Sequence, residues 1–223
     1  CSHCSSHNDV TEANPDLCQS GSMTARHLAG LTGAAFALAA SFLVAPTGGA
    51  PTASAAPCPD VEVVFARGTF APQGLGGIGQ EFVDAVRAKV GAKSVGVYAV
   101  VYPASTNFPT AVDGIRDAAN HIEGMAATCP DTKMVLGGYS QGAAVVGFVT
   151  ANAVPGGVDP ADVPQPMPAS VADHVAAVAL LGTPDTRFMD MIGQPPVTVG
   201  PLYAGKTIQL CAPVLVVGLV VGF

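Results

Sequence analysis

A chain of 223 residues with 11% charged and 49% hydrophobic side chains, 26 glycines, 19 prolines and no tryptophan is too apolar to stay disordered. Its formal charge of −7 offers no electrostatic footprint for nucleic acid or for an anionic membrane surface. The length suits one domain once the ends are set aside.

Residues 1–22 precede the first methionine, Met23, and carry Cys1, Cys4, Cys18, His3 and His7. A C-x-x-C pair beside histidines suggests zinc, but no second ligand pair follows at a finger-like spacing, so no metal is expected. The segment reads as upstream sequence from an early start, without a function of its own. From Met23, Arg26 and His27 form a short basic region, Leu28–Val44 an apolar stretch and Ala53-Ser54-Ala55 a small-residue cleavage signal. Gly30, Thr32, Gly33 and Ser41 dilute the stretch, which is short for a membrane span. Residues 23–55 therefore read as a secretory signal peptide, with cleavage after Ala55 because a cut after Ala56 would put Pro57 next. The mature chain would be extracellular, in an oxidising compartment. It keeps Cys58, Cys129 and Cys211, an odd number that leaves one thiol without a partner inside the chain.

Val61–Ala66 is apolar and β-branched, as a buried parallel strand should be. Gly74-Leu75-Gly76-Gly77-Ile78-Gly79 satisfies G-x-G-x-x-G and opens a helix, but its first glycine lies eight residues past Ala66. The dinucleotide fingerprint needs a tight turn there, and no acidic residue stands near Val100 or Tyr102 to hold a ribose. No cofactor is expected, and the glycines read as a flexible loop near the serine described below. Ile78, Phe82, Val86 and Val90 mark the apolar face of a helix. Val95–Tyr102 reads as a second strand closed by Pro103. Val112, Ile115, Ala119, Ile122 and Ala126 mark a second helix over 110–128. Lys133–Leu136 is a third strand, Gln141–Ala153 a third helix and Pro155–Pro168 a proline-rich loop. Val175–Leu181 and Lys206–Leu210 are further strands. Strands alternating with helices predict a three-layer α/β/α sandwich with a central, mostly parallel sheet.

Gly138-Tyr139-Ser140-Gln141-Gly142 sits between the third strand and the third helix. That is the G-x-S-x-G nucleophile elbow in the context it requires. A serine hydroxyl is a poor nucleophile until a base takes its proton and the chain lifts the oxygen clear of the backbone. A strand-to-helix turn does the lifting, and flanking glycines leave room for it.

With the elbow stand Val64-Phe65-Ala66-Arg67-Gly68-Thr69, Val97-Tyr98-Ala99-Val100-Val101-Tyr102-Pro103-Ala104 and Lys206-Thr207-Ile208-Gln209-Leu210-Cys211. Together these stretches make the chain resemble the secreted cutinase-like serine esterases of actinobacteria, over residues 56–211. The resemblance implies an α/β-hydrolase-like fold and hydrolysis of short to medium acyl esters, lipids or polyesters. It makes Ser140 the nucleophile and the backbone N–H groups of Thr69 and Gln141 the oxyanion hole. Two N–H groups aimed at one oxygen are what a tetrahedral intermediate needs. The resemblance also implies a Cys58–Cys129 disulfide and an exposed serine without a large lid; a monomer is expected, with a small-molecule, lipid or polyester ester as its partner. An acetylxylan esterase can share the same elbow and fold; the absence of tryptophan and the four tyrosines argue for lipid-like or polyester acyl groups instead.

After Cys211 the family pattern continues with an aspartate, a partner cysteine and a histidine. Here Ala212–Phe223 is uncharged and valine-rich, so the triad's acid and base are not where the family places them and Cys211 is the unpaired cysteine. The change reads as truncation or a shift of frame, and an inactive relic is the alternative to an active enzyme. His121 falls late in a crossover helix and His174 at the amino end of a strand, both far from the carboxyl edge where Ser140 sits. They read as solvated surface histidines. Asp185 follows a strand's carboxyl end, but without a histidine between it and Ser140 it has nothing to orient.

Overall fold

The computed structural model describes residues 57–210. The segments 1–22 and 23–55, Cys211 and the tail 212–223 lie outside the described residues. Five strands, β1 (Val61–Ala66), β2 (Val95–Ala99), β3 (Lys133–Tyr139), β4 (Val175–Leu181) and β5 (Thr207–Leu210), form one parallel sheet in the order β2-β1-β3-β4-β5. The crossovers carry α1 (Gly76–Val90), α2 (Ala111–Thr128) and α3 (Gln141–Val149), with the short helices α4 (Thr186–Met191) and α5 (Pro201–Ala204) between β4 and β5.

Side chains alternate across a strand, and both faces of this sheet are buried. Val61, Val63 and Phe65 of β1 join Val135, Ala179 and Leu181 beneath Phe82, Val83 and Val86 of α1. Val64 and Ala66 point the other way, with Leu136, Val178 and Leu180, against Ala118 and Ile122 of α2 and Val145, Val146 and Val149 of α3. That gives three layers, as the alternation of strands and helices predicts.

The strand order also locates the site. From β1 the chain crosses first to β2 on one side, then returns to lay β3 on the other. Between β1 and β3 the connections diverge, and such a switch point leaves a crevice at the carboxyl ends of the strands. Thr69 follows the end of β1, and Ser140 follows the end of β3. They meet there.

Two local expectations need correction. The second strand ends at Ala99 rather than Tyr102. Val100 still donates to Phe65 O at 2.9 Å, but Val101 N donates to the Asp117 carboxylate at 2.8 Å and leaves the ladder. Apolar, β-branched composition cannot reveal a side chain that competes for the backbone. The glycines of 74–79 are not a loop near the serine: Gly76–Gly79 form the first turn of α1, and none of the six residues lines the cavity that holds Ser140.

Cys58 and Cys129 are bonded, with Cα atoms 5.5 Å apart and a separation of 71 in sequence. The bridge fastens the start of β1 to the end of α2. Chain-entropy arguments value a loop of this length at about 4 kcal/mol. Thermal unfolding with and without reductant should therefore show a large loss of stability, which the double Cys58→Ala, Cys129→Ala variant reproduces without reductant. Coincident melts would refute it.

Candidate active site

At the elbow Ser140 has φ 53° and ψ −115°, a sparsely populated conformation for a side chain other than glycine. The surroundings impose it. Ser140 N donates to Leu181 O of β4 at 2.8 Å, while Ser140 O accepts from Ala143 N at 2.9 Å to open α3. The turn is so tight that a Cβ on Gly138 would overlap the carbonyl of Gly142, and one on Gly142 would overlap the carbonyl of Ala66. Both glycines of the motif are therefore there for close backbone approach. Ser140 makes no side-chain capping bond to α3, and at its half-buried position its hydroxyl has no hydrogen-bond partner among the described residues.

Thr69, Ser140 and Gln141 line one cavity of about 330 Å³. Gln141 is buried and its Nε2 donates to Ser105 O at 2.9 Å, which ties the elbow to the loop after β2. Its Oε1 is buried and meets no hydrogen-bond partner among the described residues.

The loop carrying Thr69 is held by Arg67, a guanidinium only 5% exposed. Its Nε donates to Ala71 O at 3.1 Å, Nη1 to Val100 O at 3.4 Å and Nη2 to Tyr102 O at 2.6 Å. The Tyr102 hydroxyl donates back to Arg67 O, and the guanidinium lies 5.1 Å from the centre of the Tyr102 ring. Burial pushes the Tyr102 phenol up to about 12, against the opposing pull of Arg67, so it stays a neutral donor. Next to Thr69, Phe70 has φ 61° and Ala104 φ 50°, and Phe70 N donates to Ala104 O at 2.8 Å. One cation thus pins two loops through three carbonyls. Sequence reading missed this role, although a lone arginine closing an apolar strand in a chain so poor in charge was a visible signal.

Also missed was what else lines the cavity. Val112, Ile115 and Ala119 of α2 face it, as do Val154–Pro155 and Val163–Met167 of the proline-rich loop. Phe108, just before α2, meets Phe188 of α4 edge to face at 5.8 Å, and both line the cavity.

Neither histidine of the described residues lines that cavity. His121 is not a solvated surface residue: its ring stacks on Tyr98 with centroids 3.6 Å apart, and Nε2 lies 3.2 Å from the buried carboxylate of Glu62 near the start of β1. His174 precedes β4, its Nδ1 3.0 Å from Pro130 O. Asp185 is occupied as the N-cap of α4, where Oδ1 accepts from Phe188 N at 2.8 Å. Among the described residues no group of acidic, histidine or cysteine side chains could hold a metal ion.

A strained serine between two obligatory glycines, at the switch point of a parallel sheet, defines an α/β hydrolase of the nucleophile-elbow kind. Residues 57–216 match the family model "Cutinase". The chain is 63% identical over 134 residues to "Probable carboxylesterase Culp5" of Mycobacterium tuberculosis, covering 60% of this chain and 76% of that one. It is 47% identical over 195 residues to "Carboxylesterase Culp1" of Mycobacterium bovis, covering 86% and 82%. Among solved structures it resembles a Trichoderma reesei cutinase in complex with a phosphonate inhibitor, at 34% identity and a TM-score of 0.52, over 70% of this chain and 62% of that one. The chain belongs to the cutinase family, and by family it is an ester-hydrolysing enzyme.

Proposed function

We propose that the protein is a secreted, monomeric serine carboxylesterase that cleaves short to medium acyl esters, lipid or polyester ones among them, through a covalent acyl-enzyme. The observation that carries this reading is Ser140 itself, held at a positive φ beside Thr69 and Gln141, with a hydroxyl that caps no helix and has no partner among the described residues. In the reaction Ser140 Oγ attacks the ester carbonyl carbon and its proton passes to a base. The carbonyl oxygen takes up the negative charge. The N–H groups of Thr69 and Gln141 receive that oxygen, the second from the first turn of α3, where the helix leaves N–H groups unpaired. Collapse expels the alcohol, which takes the proton back from the base, and water then releases the acid from Ser140 by the same steps. The Cys58–Cys129 bridge supports an oxidising destination.

A base must reach Ser140, and the position of β5's end supports its entry from there. Gly182 N donates to Leu210 O, so β5 ends beside the turn that follows β4, whose last residue, Leu181, accepts from Ser140 N. Whatever follows Leu210 starts at the nucleophile's edge of the sheet.

The test uses the domain carried on past Cys211 by a segment bearing the family's aspartate, cysteine and histidine. Hydrolysis of p-nitrophenyl butyrate should show a burst of one nitrophenol per chain, and Ser140→Ala should lower the rate by roughly 10⁶. Turnover that survives Ser140→Ala would reject the reading.

A further inference from the structure

We propose that Tyr139, the residue before the nucleophile, is a positioning residue: its ring, wedged between Gly68 and Gly182, sets the direction of the Thr69 N–H from the face of the sheet opposite the cavity. The proposal rests on the esterase reading above, which gives that N–H its role. Tyr139 ends β3, which lies between β1 and β4. Successive side chains of a strand point to opposite faces. Tyr139 pairs with Leu181 and packs with the cluster beneath α1, and it does not line the cavity. Whatever it does to the reaction therefore passes through neighbouring backbone.

The two flanking turns make room for the ring. One edge lies so close to Gly68 that a Cβ there would stand 2.7 Å from Cδ1 and 3.2 Å from Cε1. The other edge faces Gly182, where a Cβ would come 3.4 Å from Cε2. Gly68 does not adopt a positive φ, so glycine is required there for space and not for backbone freedom. It directly precedes Thr69. Gly182 follows β4, and its N–H donates to Leu210 O at the end of β5. One flat, stiff side chain thus bridges the turn that carries the oxyanion donor and the turn against which β5 ends.

The Thr69 amide needs such support. Its N–H has no acceptor among the described residues, whereas its neighbours are committed: Gly68 O accepts from Ala71 N at 3.1 Å, and Phe70 N donates to Ala104 O at 2.8 Å. Arg67 steadies the loop through Ala71 O. Tyr139 steadies it from the side of β3. A hydrogen bond weakens steeply once its angle at the hydrogen falls below about 120°, so a modest rotation of the Gly68–Thr69 peptide costs the oxyanion a donor. The ring and not the phenol does this. Tyr139 is half-buried, and no hydrogen bond among the described residues uses its hydroxyl.

The experiment compares Tyr139→Phe, Tyr139→Leu and Tyr139→Ala in the extended domain of the test above, with rates expressed per serine titrated by a phosphonate, so that unfolded protein does not count. Removing one oxyanion donor lowers kcat by roughly 10² to 10³; misdirecting one in Tyr139→Ala should lower it roughly tenfold to a hundredfold, with KM within about twofold. Tyr139→Leu fills the α1 face but cannot reach both glycines, so it should fall with Tyr139→Ala, while Tyr139→Phe should match the parent. Gly68→Ala should be as damaging as Tyr139→Ala, because its methyl displaces the ring. In the Tyr139→Ala background the same methyl should cost at most about twofold, since mainly a 3.3 Å approach to the Tyr139 carbonyl remains. Amide relaxation by NMR, on the purified protein without substrate, gives a readout independent of turnover: order at Thr69 should fall in Tyr139→Ala and Tyr139→Leu but not in Tyr139→Phe. Full kcat in Tyr139→Ala or Tyr139→Leu, additive losses with Gly68→Ala, or an unchanged Thr69 amide would overturn the proposal. Hydrolysis that survives Ser140→Ala sinks only the esterase reading, and Ser140-dependent hydrolysis that Tyr139→Ala leaves intact sinks only the positioning role.

Discussion

Residues 57–210 alone, purified as a monomer, are expected to hydrolyse p-nitrophenyl butyrate barely faster than buffer does, because neither of their two histidines lines the cavity that holds Ser140. The proposed oxyanion hole and the cavity could act without a base, but in serine hydrolases that residual acceleration over water is only about 10³ to 10⁴. The histidines among the described residues are His121 and His174. His174 faces the Pro130 carbonyl, and His121 is locked between Tyr98 and Glu62. Neither can take the proton of Ser140. Continuing the chain past Cys211 with the family's aspartate, cysteine and histidine should raise turnover by roughly a millionfold. Enzyme-like, Ser140-dependent rates from residues 57–210 alone would show that another residue serves as base, and His121→Ala and His174→Ala would then be the first variants to assay.

Arg67→Ala should be the most damaging single change outside the elbow. It removes a buried cation whose three donors satisfy Ala71, Val100 and Tyr102 carbonyls. Bonds from a charged donor contribute about 1.5–3 kcal/mol each, but losses at neighbouring groups overlap, so a total of about 3–5 kcal/mol is expected. Arg67→Lys should rescue little of it. A single ammonium cannot span three carbonyls held in a planar fork, nor lie against the Tyr102 ring in the same way. Urea unfolding measures both. A loss below about 1 kcal/mol for Arg67→Ala, less than one such bond contributes, would mean that the loops after β1 and β2 hold each other without it. In the extended, active enzyme, Arg67→Lys should lower kcat more than it raises KM, because a loosened Thr69 costs the transition state first.

The elbow, the strand sequence and the layer class were legible in the residues because each depends on local spacing. Gly138 and Gly142 bracket Ser140, Val61–Ala66 is rich in β-branched residues, and the helices repeat at their own period. The cavity was not legible. Val112, Ile115 and Ala119 repeat as core residues do, and nothing in that pattern separates a side chain packed on a neighbour from one lining an open trough. The Phe108–Phe188 contact joins residues brought together only by the sheet. Arg67 finds carbonyls 33 and 35 residues away. Even the end of β2 depended on Asp117, a helix residue that takes the Val101 N–H from the sheet. Periodicity reads out an element; it does not report which element's backbone a side chain will capture.

The torsion at Ser140 sets a conflict for anyone who wishes to make this scaffold more robust. A side chain held in such a region costs of order 1–3 kcal/mol, and glycine would be relieved of most of that strain. A screen that rewards heat resistance alone would therefore drift toward Ser140→Gly and discard the hydroxyl in doing so. Thermostabilised descendants intended for ester hydrolysis need that codon fixed, and their gains have to come from surfaces the turn does not touch.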